Sequence, residues 1–137
     1  MGRILEIVES FLTADDWPYT LINDNLVCKT GFEGKNGQFT CFAQERPEQE
    51  QLVFYSIFPV RVTIEHIAAA AEFITRANYG MIIGNFELDY QDGEIRYKTS
   101  VDVEDVALAE SLVQNLVYAN VLTMDKYLPG LMRVLYA

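Results

Sequence analysis

The apolar positions of the chain change period several times, and each change marks an element. Ile4, Ile7, Val8 and Phe11 fall at i, i+3, i+4 and i+7, with Leu5 and Leu12 widening the stripe. That spacing predicts an amphipathic helix over residues 3–13, ended by Trp17 and Pro18. Three extended segments follow, at 26–32, 38–44 and 52–58. Gly34, Lys35, Asn36 and Gly37 mark the first turn, and Arg46 to Glu50 with Pro47 mark the second. Connections this short predict an antiparallel meander.

The next helical period runs over 64–79, with Thr63 as the expected N-cap, Gly80 as the stop, and Ile64, Ile67, Ala68, Ala71 and Ile74 on one face. Asp92-Gly93 is a two-residue hairpin signal, because a type I′ turn needs positive φ at both central positions. It predicts a hairpin of 85–91 with 94–100, with Phe86, Leu88, Tyr90, Ile95, Tyr97 and Thr99 on one face. In that register Glu87 stands opposite Lys98 and Asp89 opposite Arg96 on the other face. Asp102 can cap a last helix whose apolar residues, from Val106 to Met124, nearly encircle its axis. Pro129 and Gly130 are expected to break or kink it. The predicted fold is α+β: one domain over 1–137, a single antiparallel five-stranded sheet with helices in the order α-β-β-β-α-β-β-α.

Strand 52–58 is apolar on both faces, with Leu52, Phe54 and Phe58 on one side and Val53, Tyr55 and Ile57 on the other. A single helical layer cannot cover both. Either helix 64–79 folds over the second face or another chain does. Val53, Tyr55, Ile57, Ile67, Ala71 and Ile74 are therefore the candidate dimer or partner surface, and a homodimer is expected.

Charge narrows the classes of partner. Twenty acids against ten bases in 137 residues give a net charge of −10, which repels nucleic-acid backbones and anionic membranes. Neither is expected as a partner. Segment 87–110 concentrates the excess, with eight acids and two bases. No apolar run reaches the roughly 20 residues of a membrane span, and Arg3, Glu6 and Glu9 interrupt the N-terminal apolar stretch. A cytoplasmic location is expected.

No complete catalytic set emerges from residue types and spacings. His66 is the single histidine and has no i, i+4 partner that could share a metal. The glycines of Gly31 to Gly37 have the wrong spacing for a phosphate loop. Counting back from Gly93 puts Leu88 at the first position of a calcium loop, where it cannot coordinate an ion. Cys28 and Cys41 read as small buried hydrophobes in a reducing compartment. The chain is read as a non-enzyme with no cofactor and no metal.

Ala77-Asn78 followed by Ile83-Gly84-x-Phe86-Glu87-Leu88-Asp89-x-x-Asp92-Gly93-Glu94-Ile95-Arg96-Tyr97-Lys98 resembles the central signature of the bacterial YbjN family. Met124-Asp125-Lys126-Tyr127-Leu128-Pro129-x-Leu131-Met132 resembles that family's C-terminal helix. The resemblance implies a fold like that of type III secretion chaperones, pairing as dimers, and a role in sensory transduction regulation or as a chaperone-like adaptor that binds a protein partner. It brings no catalytic residues. The competing reading is a small-molecule sensor or minor enzyme with a pocket between sheet and last helix, lined by Trp17, Tyr118 and Met124.

Overall fold

Strands β1 (Tyr19–Ile22), β2 (Val27–Glu33), β3 (Gln38–Arg46), β4 (Gln51–Ile57), β5 (Asn85–Leu88) and β6 (Ile95–Asp102) form one antiparallel sheet in the computed structural model, which describes residues 2–136. The strand order is β1-β2-β3-β4-β6-β5. Helices α1 (Arg3–Ala14), α2 (Ile67–Asn78) and α3 (Glu110–Tyr136) all pack on the same face of that sheet. Period-two alternation supplies the inner face: Cys28, Cys41, Ala43, Leu52, Phe54, Ile95 and Tyr97 are buried beneath the helices.

The sheet has six strands, not the predicted five. The missed strand is β1, a four-residue edge element directly after Pro18, too short for a periodicity to register. Its turn into β2 is nevertheless legible, since Asn23, Asp24 and Asn25 all adopt left-handed φ, between 50° and 63°. Asn and Asp are the non-glycine residues that best tolerate that region.

The β5–β6 hairpin differs from its predicted register by two residues. Glu87 pairs with Arg96 and Leu88 with Ile95, leaving 89–94 as the loop. Of the two expected turn residues only Gly93 has positive φ, at 76°, so no type I′ turn forms. The side chains of Asp89 and Asp92 instead accept from the main-chain N–H groups of Gln91 (2.8 Å) and Glu94 (2.9 Å), which widens the loop. Asp89 is thereby removed from Arg96, and Tyr90 is exposed rather than in the core. A slip of two preserves parity, so Phe86, Ile95, Tyr97 and Thr99 still face inward.

Both later helices depart from their expected limits. The predicted helix over 64–79 begins as a 3₁₀ turn, Ile64–His66, and Ile64 points to solvent. Thr63 has extended N-cap backbone, but its Oγ1 meets His66 Nδ1 at 3.0 Å and caps no main-chain N–H. The buried stripe of α2 runs through Ala70 and Ile74. Helix α3 starts at Glu110 because Asp102 folds back onto the Glu104 N–H and Asp105 turns left-handed at φ 61°. It then continues through Pro129 to Tyr136 without the expected break.

The reason lies across the core. Proline at 129 cannot donate to the carbonyl of Asp125, four residues earlier. Asn36, in the β2–β3 turn, donates to that carbonyl through Nδ2 at 3.0 Å. The Asp125 carboxylate in turn accepts the main-chain N–H groups of Lys35 (3.2 Å) and Asn36 (2.9 Å). The turn residues and the helix residue satisfy one another, and the helix persists.

Candidate functional site

Because every helix lies on one face, the opposite face of the sheet carries no helical layer. Strand register places Val53, Tyr55 and Ile57 of β4 on that face, beside Phe42 and Gln44 of β3 and Arg96, Lys98 and Ser100 of β6. Tyr55 and Ile57 are half-buried, whereas Val53 is shielded by its neighbours. The Arg96 guanidinium sits 4.1 Å from the centre of the Tyr55 ring. The same guanidinium donates through Nε to Glu87 Oε1 at 2.7 Å, and Lys98 Nζ reaches Glu87 Oε2 at 3.0 Å. One carboxylate thus holds two cations beside an aromatic-aliphatic stripe. Burial pulls the Glu87 carboxyl up, but the hydrogen bonds from Lys98 and Arg96 outweigh it and hold its pKa below the usual range.

The six residues expected to form one surface occupy two places. Val53, Tyr55 and Ile57 share the open sheet face. Ile67, Ala71 and Ile74 belong to α2 on the helical side, where Ile74 is buried in the core and Ile67 and Ala71 are half-buried. Helix α2 docks on α3 and β5, with Phe73 edge-on to Tyr127 at 6.3 Å and against Gly130. It does not fold over the second face of β4.

The residues expected to line a pocket between sheet and last helix, Trp17, Tyr118 and Met124, are taken up in packing. Trp17, Phe11, Phe32 and Tyr118 form a ring cluster with centroid separations of 5.8–6.3 Å, and Met124 is fully buried. The polar atoms of this interface are consumed by structure. Asn120 Nδ2 donates to the carbonyls of Phe54 (2.9 Å) and Tyr97 (3.1 Å) and to Thr99 Oγ1 (3.1 Å), while its Oδ1 accepts from Ser56 Oγ at 2.5 Å. Cys41 Sγ lies 3.5 Å from Ser56 Oγ. Burial pushes the thiols of both Cys28 and Cys41 up to about 12, far from nucleophilic. Glu45, also buried, accepts from the Leu5 N–H at 2.9 Å and so caps α1 from the sheet.

One edge of the sheet is incomplete. Strand β5 covers only Ile95 to Lys98 of β6, so Thr99 to Asp102 have no strand beyond them. Gly84 marks where the chain leaves the sheet: its φ is 80°, and a Cβ there would lie 2.6 Å from the Lys98 carbonyl. Ile83 is then tied down by its carbonyl, which accepts from Tyr97 Oη at 2.6 Å. A groove of about 580 Å³ runs along this edge between β6 and α3, lined by Ile82, Ile83, Val101, Leu112, Leu116 and Ala119 among others. Local sequence pattern does not reveal it, because the groove exists only where β6 outruns β5.

A sequence profile described as "YbjN: Putative bacterial sensory transduction regulator" matches residues 5–132. The chain belongs to the YbjN family. The fold agrees: the crystal structure of YbjN from E. coli, described as a putative transcription regulator, superposes with a TM-score of 0.70 at 10% identity, covering 90% of this chain and 87% of that one. A chain of the ExsC–ExsE complex superposes with a TM-score of 0.65 at 11% identity, covering 94% and 93%. A chain of the HopA1–SchA chaperone–effector complex gives 0.56 at 14% identity, covering 93% and 91%. This YbjN-family chain therefore has the fold of type III secretion chaperones, as the resemblance implied. No protein of curated function matches it by sequence. Among the described residues no helix is long and apolar enough to cross a membrane.

Proposed function

We propose that this protein is a non-enzymatic protein-binding module, a cytoplasmic homodimer with a regulatory or adaptor role. The observation that carries this reading is the helix-free sheet face, with Val53, Tyr55, Ile57 and Phe42 in one stripe beside the Arg96–Glu87–Lys98 cluster. An apolar stripe bordered by charges is how a subunit interface is built, with buried contacts at the centre and polar pairs at the rim. Two copies related by a two-fold axis would each present the same stripe to the other. Family membership and the likeness to chains crystallised in protein complexes support the adaptor role.

Light scattering at micromolar concentration tests the reading. A dimer is expected for the natural chain, and a monomer with an unchanged circular dichroism spectrum is expected for Tyr55→Asp. A natural chain that is monomeric removes the self-association, and a Tyr55→Asp variant that is both folded and dimeric removes this face from the interface.

A further inference from the structure

We propose that the groove between β6 and α3 is a binding site for a small neutral molecule, a flat nitrogen heterocycle that carries an N–H donor beside an acceptor, as a cyclic amide does. The site goes beyond the reading of the protein as a protein-binding module. It lies at the edge of the sheet, apart from the helix-free face.

The polar half of the site is the main chain of one residue. In β6 the Ile95 carbonyl accepts from Phe58 and the Val103 N–H donates to Glu50. Odd-numbered residues of the strand therefore bond toward β4, and even-numbered ones point away from it. Arg96 and Lys98 meet Glu87 and Asn85 of β5 on that outer side. Ser100 comes next, but the chain that would have extended β5 opposite it is turned aside at Gly84, whose φ is 80°. Among the described residues no main-chain group meets the Ser100 N–H or C=O, and Ser100 lines the groove.

This leaves one donor and one acceptor, not a row of them, because Lys98 is already paired and Asp102 lies outside the groove. The N–H and C=O of a single extended residue lie close together on one side of the strand. A ring with a donor next to an acceptor takes both bonds at once.

The apolar half comes from α3. Leu112, Leu116 and Ala119 fall at i, i+4 and i+7, which puts them on one face as a strip about 10 Å long. Leu112 is 38% exposed and Ile83, on the opposite wall, is 57% exposed, so a flat ring laid between them covers apolar surface now in water. Ile83 is held in place by the Tyr97 hydroxyl. The groove volume of about 580 Å³ is that of a small-molecule site.

The surroundings select a neutral ligand. Lys98 is the charged residue along the groove, and its ammonium is engaged by Glu87 Oε2 at 3.0 Å. The acids of the β6–α3 connector do not line it, and Arg3, which reaches that connector, is bonded to Glu50 and the Val103 carbonyl. Thr99 Oγ1 is spent between the Leu116 carbonyl and Asn120 Nδ2, each at 3.1 Å. An ionic ligand would lose water here and gain no counterion.

The test is an amide NMR titration of the full chain with the bicyclic lactam carbostyril and with its N-methyl derivative, which keeps the ring and the carbonyl but lacks the donor. Saturable shifts at Ser100, Val101 and Ile83 are expected for carbostyril, with a Kd of about 1 mM or tighter. The N-methyl derivative is expected to bind at least about tenfold more weakly. Leu112→Asp puts a carboxylate on the groove floor in the first turn of α3, where the helix dipole favours an acid. Ser100→Pro removes the outward N–H and spares the ladder to β4. Each variant is expected to weaken carbostyril about tenfold or more while the rest of the amide spectrum stays that of the folded chain. Absence of saturable shifts, equal affinity for the two lactams, or affinity unchanged in either variant overturns the proposal. Shifts centred on Val53, Tyr55 and Ile57 also overturn it, moving the ligand to the helix-free face. The comparison of the two lactams needs only the natural chain, so it decides the matter even where a variant does not fold.

Discussion

The side-chain amide of Asn36 donates to the main-chain carbonyl of Asp125 at 3.0 Å, the acceptor that Pro129 leaves without its helical partner. An interior proline normally costs a helix about 3 kcal/mol, partly through that orphaned carbonyl. Here the β2–β3 turn supplies the missing donor, and α3 extends far enough to bury Leu131 and Leu135.

Asn36→Ala is expected to destabilise the protein by about 1–2 kcal/mol, the cost of leaving a partly buried carbonyl unpaired. In a Pro129→Ala background the main-chain N–H returns to serve Asp125, so the same substitution should cost measurably less. Urea unfolding of the four proteins in the cycle measures the coupling. Equal costs in both backgrounds would show that Asn36 does not act through Pro129.

Asn120 is fully buried and satisfies three acceptors and one donor at the junction of α3 with β4 and β6. Asn120→Leu removes the acceptor of Ser56 Oγ and leaves Thr99 Oγ1 only its bond to the Leu116 carbonyl, with an expected loss of about 2–4 kcal/mol. Ser56→Ala removes one donor and should cost less, about 1 kcal/mol. Denaturant melts of both variants check the order.

Neither cysteine should react in the folded protein. With both thiols buried and their pKa values pushed up to about 12, a disulfide reagent such as DTNB is expected to label none in the native state. Two equivalents should react once guanidinium chloride unfolds the chain. Rapid native labelling of either would contradict the burial described for them.

Glu87 links the hairpin to pH. Its pKa is lowered in the folded state from the usual 4.5, so its contribution to stability is present above that value and is lost as pH falls through the folded pKa. The group is about one-third exposed, and solvent screening limits the contribution to about 1 kcal/mol or less. Thermal melts of Glu87→Gln against the natural chain should differ near neutral pH and converge as pH falls below 4.5. A gap that stays constant with pH would assign the effect to packing.

Gly93→Ala is expected to be costly for two reasons. Its φ of 76° is left-handed, and a Cβ would strike the main chain of Val62, whose N–H donates to the Gly93 carbonyl at 2.8 Å. A loss of at least about 1–3 kcal/mol follows from strain at such a position, readable as a lowered melting temperature.

Local pattern by itself determined the three helices, five of the six strands to within a few residues, and the inward set Phe86, Ile95, Tyr97 and Thr99. These are legible because side-chain parity is a local property that a two-residue slip leaves intact. Family membership was also legible, since the hairpin and C-terminal helix motifs lie in contiguous sequence. Four decisions belonged to tertiary structure alone. Glu87 meets Arg96 and Lys98 together because loop capping by Asp89 and Asp92 widens the turn. Helix α3 passes Pro129 because a residue 89 positions away from Asp125 supplies the donor. Strand β4 is apolar on both faces, so only the docking of all three helices on one side decides which stripe is left open. The free edge of β6 exists because β5 is four residues long against eight, a length set where Gly84 turns the chain away from the sheet.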